Sequence, residues 1–269
     1  MTVQPLFSQP GRRRLDQVLQ PGVLCVFDFD GTLAPIVPHP DDAHLPDEVF
    51  QRLLALSQLA PVGVLTGRSL EDIRERLGFE PHYLVGNHGL QGLPGWEAKS
   101  AGYQAQCDSW ARQLAPGLPR DPGIFIENKQ YSLSLHYREA ADPARAHDQL
   151  RELAQELEPL PRIMEGKFLL NLLPSSACDK GSAMQKLIDI SGCSTAIYVG
   201  DDVTDEDAFR LRHPGLLSIR IEPHEQSAAE FYLPRRHDIV HLLDHMVERL
   251  CVDTIGGGDM LAPIGGGKA

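Results

Sequence analysis

Five consecutive apolar residues at 23–27 lead directly into Asp28-Phe29-Asp30-Gly31-Thr32. A short, wholly apolar run closed by a glycine turn predicts a strand buried on both faces, as in a parallel sheet. The Pro-rich stretch 35–46 reads as a loop, and Asp47 as the cap of a helix over 47–59. A second strand at 61–65 ends in Thr66-Gly67-Arg68. Ser69 with Asp72 three residues on resembles a capping box for a helix closing near Leu77-Gly78. A third strand at 83–85 ends in Gly86-Asn87-His88-Gly89, completing βαβαβ.

After about Gly102 the rhythm changes. Ile124 to Ile126, then Leu133, Leu135 and Tyr137 alternating with Ser132, Ser134, His136 and Arg138, predict half-solvated antiparallel strands. A helix over 143–158 and a strand over 168–173 complete a small α+β unit. The α/β pattern then returns, with a helix over 180–190, a strand at 196–199 ending in Gly200-Asp201-Asp202, and another near 217–221. The expected architecture is α/β: a core of residues 1–102 and 176–255 with a parallel sheet, an inserted α+β cap at 103–175, and a flexible Gly-rich tail at 256–269, its character changing after about Cys251.

Charge narrows the partners. Twenty-five basic against 37 acidic residues leave the 269-residue chain at −12, which repels nucleic acid and anionic membranes at long range. An anionic substrate then needs local cations or a metal. Five scattered cysteines lack zinc-site spacing and read as reduced thiols, and Arg12-Arg13-Arg14 has no apolar stretch after it, so it reads as a solvated charge run. The expectation is a cytoplasmic protein with no membrane-spanning segment.

Four features fall where core strands should end on one edge of the sheet: the Asp28/Asp30 pair, Thr66, Lys180 at the start of a helix, and the acidic run from Asp201 to Asp207. Carboxylates gathered there repel one another unless a cation intervenes, and an all-oxygen set suits Mg²⁺. Taken singly, Thr66 reads equally well as a helix cap, Lys180 as a surface lysine, and the acidic run as a helix N-terminus favoured by the dipole.

In this order the motifs resemble those of the haloacid dehalogenase superfamily. The likeness extends through Thr32-Leu33-Ala34 to Pro38-His39-Pro40, Leu65-Thr66-Gly67-Arg68, His88-Gly89, Leu135-His136-Tyr137-Arg138, Gly166-Lys167, Lys180-Gly181 and Gly200-Asp201-Asp202-Val203-Thr204-Asp205-Glu206. Over about residues 20–245 the chain resembles the trehalose-6-phosphate phosphatases. The resemblance implies a Rossmann-like core, a Mg²⁺ cofactor, a sugar-phosphate substrate and an aspartyl-phosphate mechanism. It implies Asp28 as nucleophile and Asp30 as general acid/base, with Thr66, Gly67 and Lys180 on the phosphoryl oxygens. The metal ligands it implies are Asp28, the Asp30 carbonyl and Asp201, with Asp202 and Asp205 orienting ligands or water.

In the cap, Glu127 and Lys129 share one side of an extended segment, and Glu165, Lys167, Leu169 and Asn171 are expected to share a side of another. By resemblance Glu127 and Lys129 grip the distal glucose, while Lys167, Asn171 and His88 contact substrate. Without the resemblance, the first pair reads as a solvated ion pair and His88 as a turn histidine satisfied by backbone. Asn171 stands where a glutamate is usual and Gln91 where an acid often follows His-Gly; each keeps an acceptor and loses a charge. The competing readings are a phosphatase for sucrose 6-phosphate or mannosyl-3-phosphoglycerate, a phosphomutase, and a non-catalytic sugar-phosphate-binding regulatory domain.

Overall fold

The computed structural model describes residues 3–256. Its main sheet has seven strands, all parallel: Gln4–Pro5 (β1), Leu24–Phe27 (β2), Val62–Leu65 (β3), Tyr83–Val85 (β4), Ala196–Gly200 (β9), Leu216–Ile221 (β10) and Phe231–Leu233 (β11). They lie in the order β1-β11-β10-β9-β2-β3-β4. The chain runs outward from β2 through β3 to β4, and later from β9 on the other side of β2 out to β11. The order therefore reverses between β2 and β9, where open α/β sheets form a crevice at their carboxyl ends.

Alternation along each central strand divides the core in two. Cys25, Phe27, Val62, Val64, Ile197 and Val199 face one layer, made by helices Gln9–Val18 (α1), Asp47–Ser57 (α2), Leu70–Leu77 (α3) and Ile239–Gly256 (α8). Leu24, Val26, Leu65, Ala196 and Tyr198 face the other, made by Lys180–Ser191 (α6) and Glu206–Phe209 (α7). Burial on both faces is why these strands read as unbroken apolar runs.

A second sheet of four antiparallel strands has the order β5-β6-β8-β7: Phe125–Asn128 (β5), Leu133–His136 (β6), Arg162–Gly166 (β7) and Leu169–Leu173 (β8). Helices Glu97–Leu114 (α4) and Pro143–Gln155 (α5) cover one face, burying Cys107, Trp110, Leu114 and Leu150 against Leu133, Leu135, Leu170 and Leu172. The Trp110 indole N–H also donates to Pro159 O at 2.7 Å.

Several sequence expectations are revised. Asp47 is the first residue of α2 rather than its cap; Pro46 occupies the cap position without a side-chain bond. Residues 9–18 form a helix, with Ser8 accepting from Gly11 N and with Gly11, Leu15 and Val18 buried, so Arg12-Arg13-Arg14 rides on an ordered element. The expected boundary at Gly102 falls inside α4. The segment after Cys251 continues α8 as far as Gly256, and the remainder of the expected tail lies outside the described residues. Gly166-Lys167 is not part of the following strand, because the chain reverses between Gly166 and Leu169, which are paired. No helix among the described residues is long and apolar enough to cross a membrane.

Trp110→Ala should cost about 3–5 kcal/mol, because a fully buried indole and its hydrogen bond are lost together, and urea unfolding at neutral pH measures it.

Candidate active site

Three tethers hold the smaller sheet over the carboxyl edge of the larger one. Asn87, in the left-handed region at φ 48, donates from Nδ2 to Lys129 O and accepts from Ser132 Oγ. Arg138 donates to Val37 O at 2.7 Å, and Arg162 to Cys178 O at 2.9 Å. Between the sheets lies a cavity of about 700 Å³.

Two buried carboxylates and one buried ammonium organise its floor. Asp28 follows β2 and Lys180 opens α6, whose N-terminus is capped by Asp179. Lys180 Nζ donates to Asp28 Oδ1 and Asp205 Oδ1, both at 2.7 Å, with its side chain only 2% exposed. Burial opposes the charge on Lys180, yet Asp205 and Asp28 hold it protonated and push its pKa above the usual lysine range. Asp205 has a full complement of donors: Lys180 and the Tyr198 hydroxyl on Oδ1, the latter at 2.5 Å, and the Asp201 and Asp202 N–H groups on Oδ2 at 2.9 Å.

Asp28, Asp201 and Asp205 bring carboxylate oxygens within 4.8 Å of one another. Asp205 is saturated, which leaves Asp28 and Asp201 as the open pair. Burial pushes Asp28 up to about 7 against the pull of Lys180, and burial together with Asp28 and Asp205 pushes Asp201 well above the usual carboxylate range. Gly31, at φ 86, makes the approach possible: a Cβ there would stand 2.0 Å from Asp201 Oδ2. Two desolvated, mutually repelling carboxylates with all-oxygen chemistry fit a hard divalent cation.

Asp30 points elsewhere. Both its oxygens accept from Arg68, Nε to Oδ2 and Nη2 to Oδ1, each at 2.7 Å. Arg68 is fixed in turn by Asp72 at 2.7 Å, and Asp72 by Arg76, which reaches Asp41 and Ala43 in the Pro-rich loop.

On the opposite wall, Glu127 accepts from His136 at 2.8 Å and lies 3.5 Å from Lys129 Nζ. Burial alone would raise its pKa, but His136 and Lys129 bring it down to about 2. Asn171 Oδ1 accepts from Ser134 Oγ at 2.7 Å, which fixes the amide on the cavity side. His88 is held in the left-handed region at φ 57 against Gly67; burial, Lys180, Lys129 and Arg162 keep its ring neutral.

A family model described as trehalose-phosphatase matches residues 26–235, a stretch holding the whole smaller sheet and every residue of this floor. The chain belongs to the trehalose-phosphatase family. It is 31% identical over 227 residues to the trehalose-phosphate phosphatase of Mycobacterium marinum, covering 79% of this chain and 57% of that one. With the Mycobacterium tuberculosis trehalose-phosphate phosphatase it shares 30% over 250 residues, covering 86% and 62%. The chain thus spans less than two thirds of these curated relatives. Among solved structures, the C-terminal domain of Candida albicans trehalose-6-phosphate phosphatase superposes with a TM-score of 0.71 at 21% identity, over 92% of this chain and 99% of that one. The Aspergillus fumigatus trehalose-6-phosphate phosphatase superposes at 0.61 with 26% identity, over 91% and 99%.

In this member of the trehalose-phosphatase family, Asp28, Asp30, Gly67, His88, Glu127, Lys129, Lys167, Asn171, Lys180, Asp201 and Asp202 all line the cavity. Thr66 and Asp205 are fully buried behind the cavity wall; the Thr66 hydroxyl accepts from Arg68 N at 3.2 Å. Glu165 does not share a side with Asn171. It pairs with Leu170, on the helix-covered face, and is bound by His147 and Arg151 of α5, although it still reaches the cavity rim. Gln91 is taken up by the fold: its Oε1 accepts from Leu70 N and Asn87 Nδ2, and it does not line the cavity. Tyr198, Arg68, Asp72 and Asn87 escape sequence reasoning as parts of the site, since a strand tyrosine reads as core and the others as loop or helix polarity. The Asp-rich block beside β9 is the one signal that the tyrosine hydroxyl has a partner.

Asp205→Asn should cost about 3–5 kcal/mol in urea unfolding, because an amide cannot accept from all four donors and Lys180 loses one counter-charge. The depressed pKa of Glu127 stabilises the fold at pH values above its ordinary 4.5, and that contribution disappears as pH falls toward about 2. Wild type should therefore melt higher than Glu127→Gln at pH 7, and the gap should narrow as pH falls below 4.5 and close only below about pH 2.

Proposed function

We propose that the protein is a Mg²⁺-dependent phosphatase that hydrolyses trehalose 6-phosphate to trehalose and phosphate through an aspartyl-phosphate intermediate. The observation carrying this reading is the Asp28–Lys180–Asp205 arrangement at the cavity floor, within a chain of the trehalose-phosphatase family. Relatives named trehalose-phosphate phosphatase support the substrate.

In the first half-reaction an Asp28 carboxylate oxygen bonds to phosphorus as the bond from phosphorus to the sugar oxygen breaks, and Asp30 gives its proton to that oxygen. Water then attacks the phosphoryl group, Asp30 takes its proton, and Asp28 is released with inorganic phosphate. Lys180 bonds Asp28 at 2.7 Å, so its charge offsets repulsion between carboxylate and phosphate as they approach. Gly67 and Lys180 offer donors to the phosphoryl oxygens, and Thr66 shapes the turn that presents Gly67. Asp28, the Asp30 main-chain carbonyl and Asp201 would hold the cation, which when bound neutralises phosphate charge. Asp205 positions Lys180 and the Asp201–Asp202 backbone, and Asp202 would orient water or a ligand when the cation is held.

Asp30 must exchange partners during turnover. Arg68 occupies both its oxygens, so Asp30 must leave the guanidinium to give or take a proton. Glu127, Lys129, Lys167, Asn171 and His88 receive the sugar hydroxyls. A cytoplasmic location accords with the five free thiols.

Phosphate release from trehalose 6-phosphate, measured with Mg²⁺ and with excess chelator, tests the reading; activity should require the cation. Asp28→Asn should lower kcat by at least about 10³-fold while the fold persists, and substantial residual turnover would remove Asp28 as the nucleophile.

A further inference from the structure

The pairing register of the smaller sheet sorts its cavity face into rows. Glu127, Ser134 and Asn171 stand opposite one another on β5, β6 and β8, forming a polar row. Two residues along each strand, Phe125, His136 and Leu169 form the neighbouring row on the same face. This second row is flat and largely apolar. The Phe125 ring stacks on the His136 imidazole at 4.5 Å between centroids and 8° between planes, yet the phenylalanine stays 48% exposed. Phe168, next to Leu169 at the turn between β7 and β8, is 45% exposed and also lines the cavity.

Phe168 is out of place on local grounds. Its φ of 65 lies in the left-handed region, which a two-residue hairpin turn normally fills with glycine or asparagine. A large aromatic residue there costs backbone strain and leaves apolar surface in water. Among the described residues its ring partner is Tyr137, edge-on at 6.2 Å. The polar row already offers carboxylate, hydroxyl and amide groups on the same wall, so a ligand bound there has hydroxyls at its rim. A pyranose ring has such a rim and an apolar C–H face suited to the electron-rich face of an aromatic ring.

We propose that Phe125 and Phe168 form a platform for the C–H face of a pyranose ring of the substrate, and that they set selectivity for a disaccharide phosphate over phosphate esters lacking that ring. The polar row directs the hydroxyls while the platform takes the ring face. The platform rests on the sugar-phosphatase reading and adds to it two residues whose side chains carry no charge and make no hydrogen bond.

The test compares kcat/KM for trehalose 6-phosphate and for p-nitrophenyl phosphate in wild type, Phe125→Ala and Phe168→Gly, with thermal melting of each. Each variant should lower the ratio of the two kcat/KM values by about tenfold, through KM for the sugar phosphate. Phe168→Gly should melt no lower than wild type, since glycine relieves the left-handed backbone. Equal losses on both substrates, or an unaltered ratio in both variants, would overturn the platform and leave the phosphatase reading standing. A wild type that cleaves the aryl phosphate and ignores trehalose 6-phosphate would overturn the disaccharide reading, and the platform with it.

Discussion

The Lys180 ammonium, almost fully buried between Asp28 and Asp205, is the interaction on which the rest of the site depends. A charge so far from water is tolerable only with counter-charges in direct contact, and removing either would leave Lys180 with one instead of two. The contact joins three separate strand and helix ends: the exit of β2, the start of α6 and the turn after β9. Because Asp205 also binds two backbone N–H groups and Tyr198, the ammonium is fixed through the main chain of the turn that carries Asp201. The reacting edge is thus assembled by charge neutralisation in a dry interior, and its geometry follows from the sheet that supplies the ends.

A different logic governs Asp30. Its bond to Arg68 belongs to a chain of ion pairs running through Asp72 and Arg76 to Asp41, partly open to water. Arg68 is buried, whereas the Asp30 side chain is 39% exposed, so water reaches the carboxylate side of this bidentate pair and replaces its hydrogen bonds when it leaves the guanidinium. Asp28 and Asp30, two residues apart, are therefore held on different terms, one in a pair buried on both sides and the other in a pair whose carboxylate side opens to water. That contrast suits a group that stays still and another that exchanges partners.

Much of this was legible in the sequence wherever an element has a single strong cause. An apolar run followed by Asp announces β2 and β9, because burial on both faces removes alternation and a carboxylate ends the strand. Alternation over residues 133–136 announces a strand, but its polar face is covered rather than half-solvated, with Ser134 and His136 both buried. The turn at Lys167-Phe168 was not legible, since neither residue favours it and the flanking sequence continues an extended pattern. Reading through the turn placed Glu165 beside Asn171, whereas the reversal sends it to α5. Helix α1 carries a serine cap and an early proline, but its three arginines conceal the spacing of Leu15 and Val18. Arg68, Tyr198 and Asn87 owe their places to partners far along the chain or in another strand end, and no local pattern reports such meetings.

The smaller sheet separates two responsibilities by alternation. Leu133, Leu135, Leu170 and Leu172 pack beneath α4 and α5, while the residues between them face the cavity. A substitution at a cavity-facing position alters what a ligand meets without enlarging or crowding the leucine layer. Over evolutionary time, such a sheet lets the recognition surface be rewritten while the scaffold is inherited intact. Asn171, whose side chain is held by Ser134 among the described residues, stands at one such position.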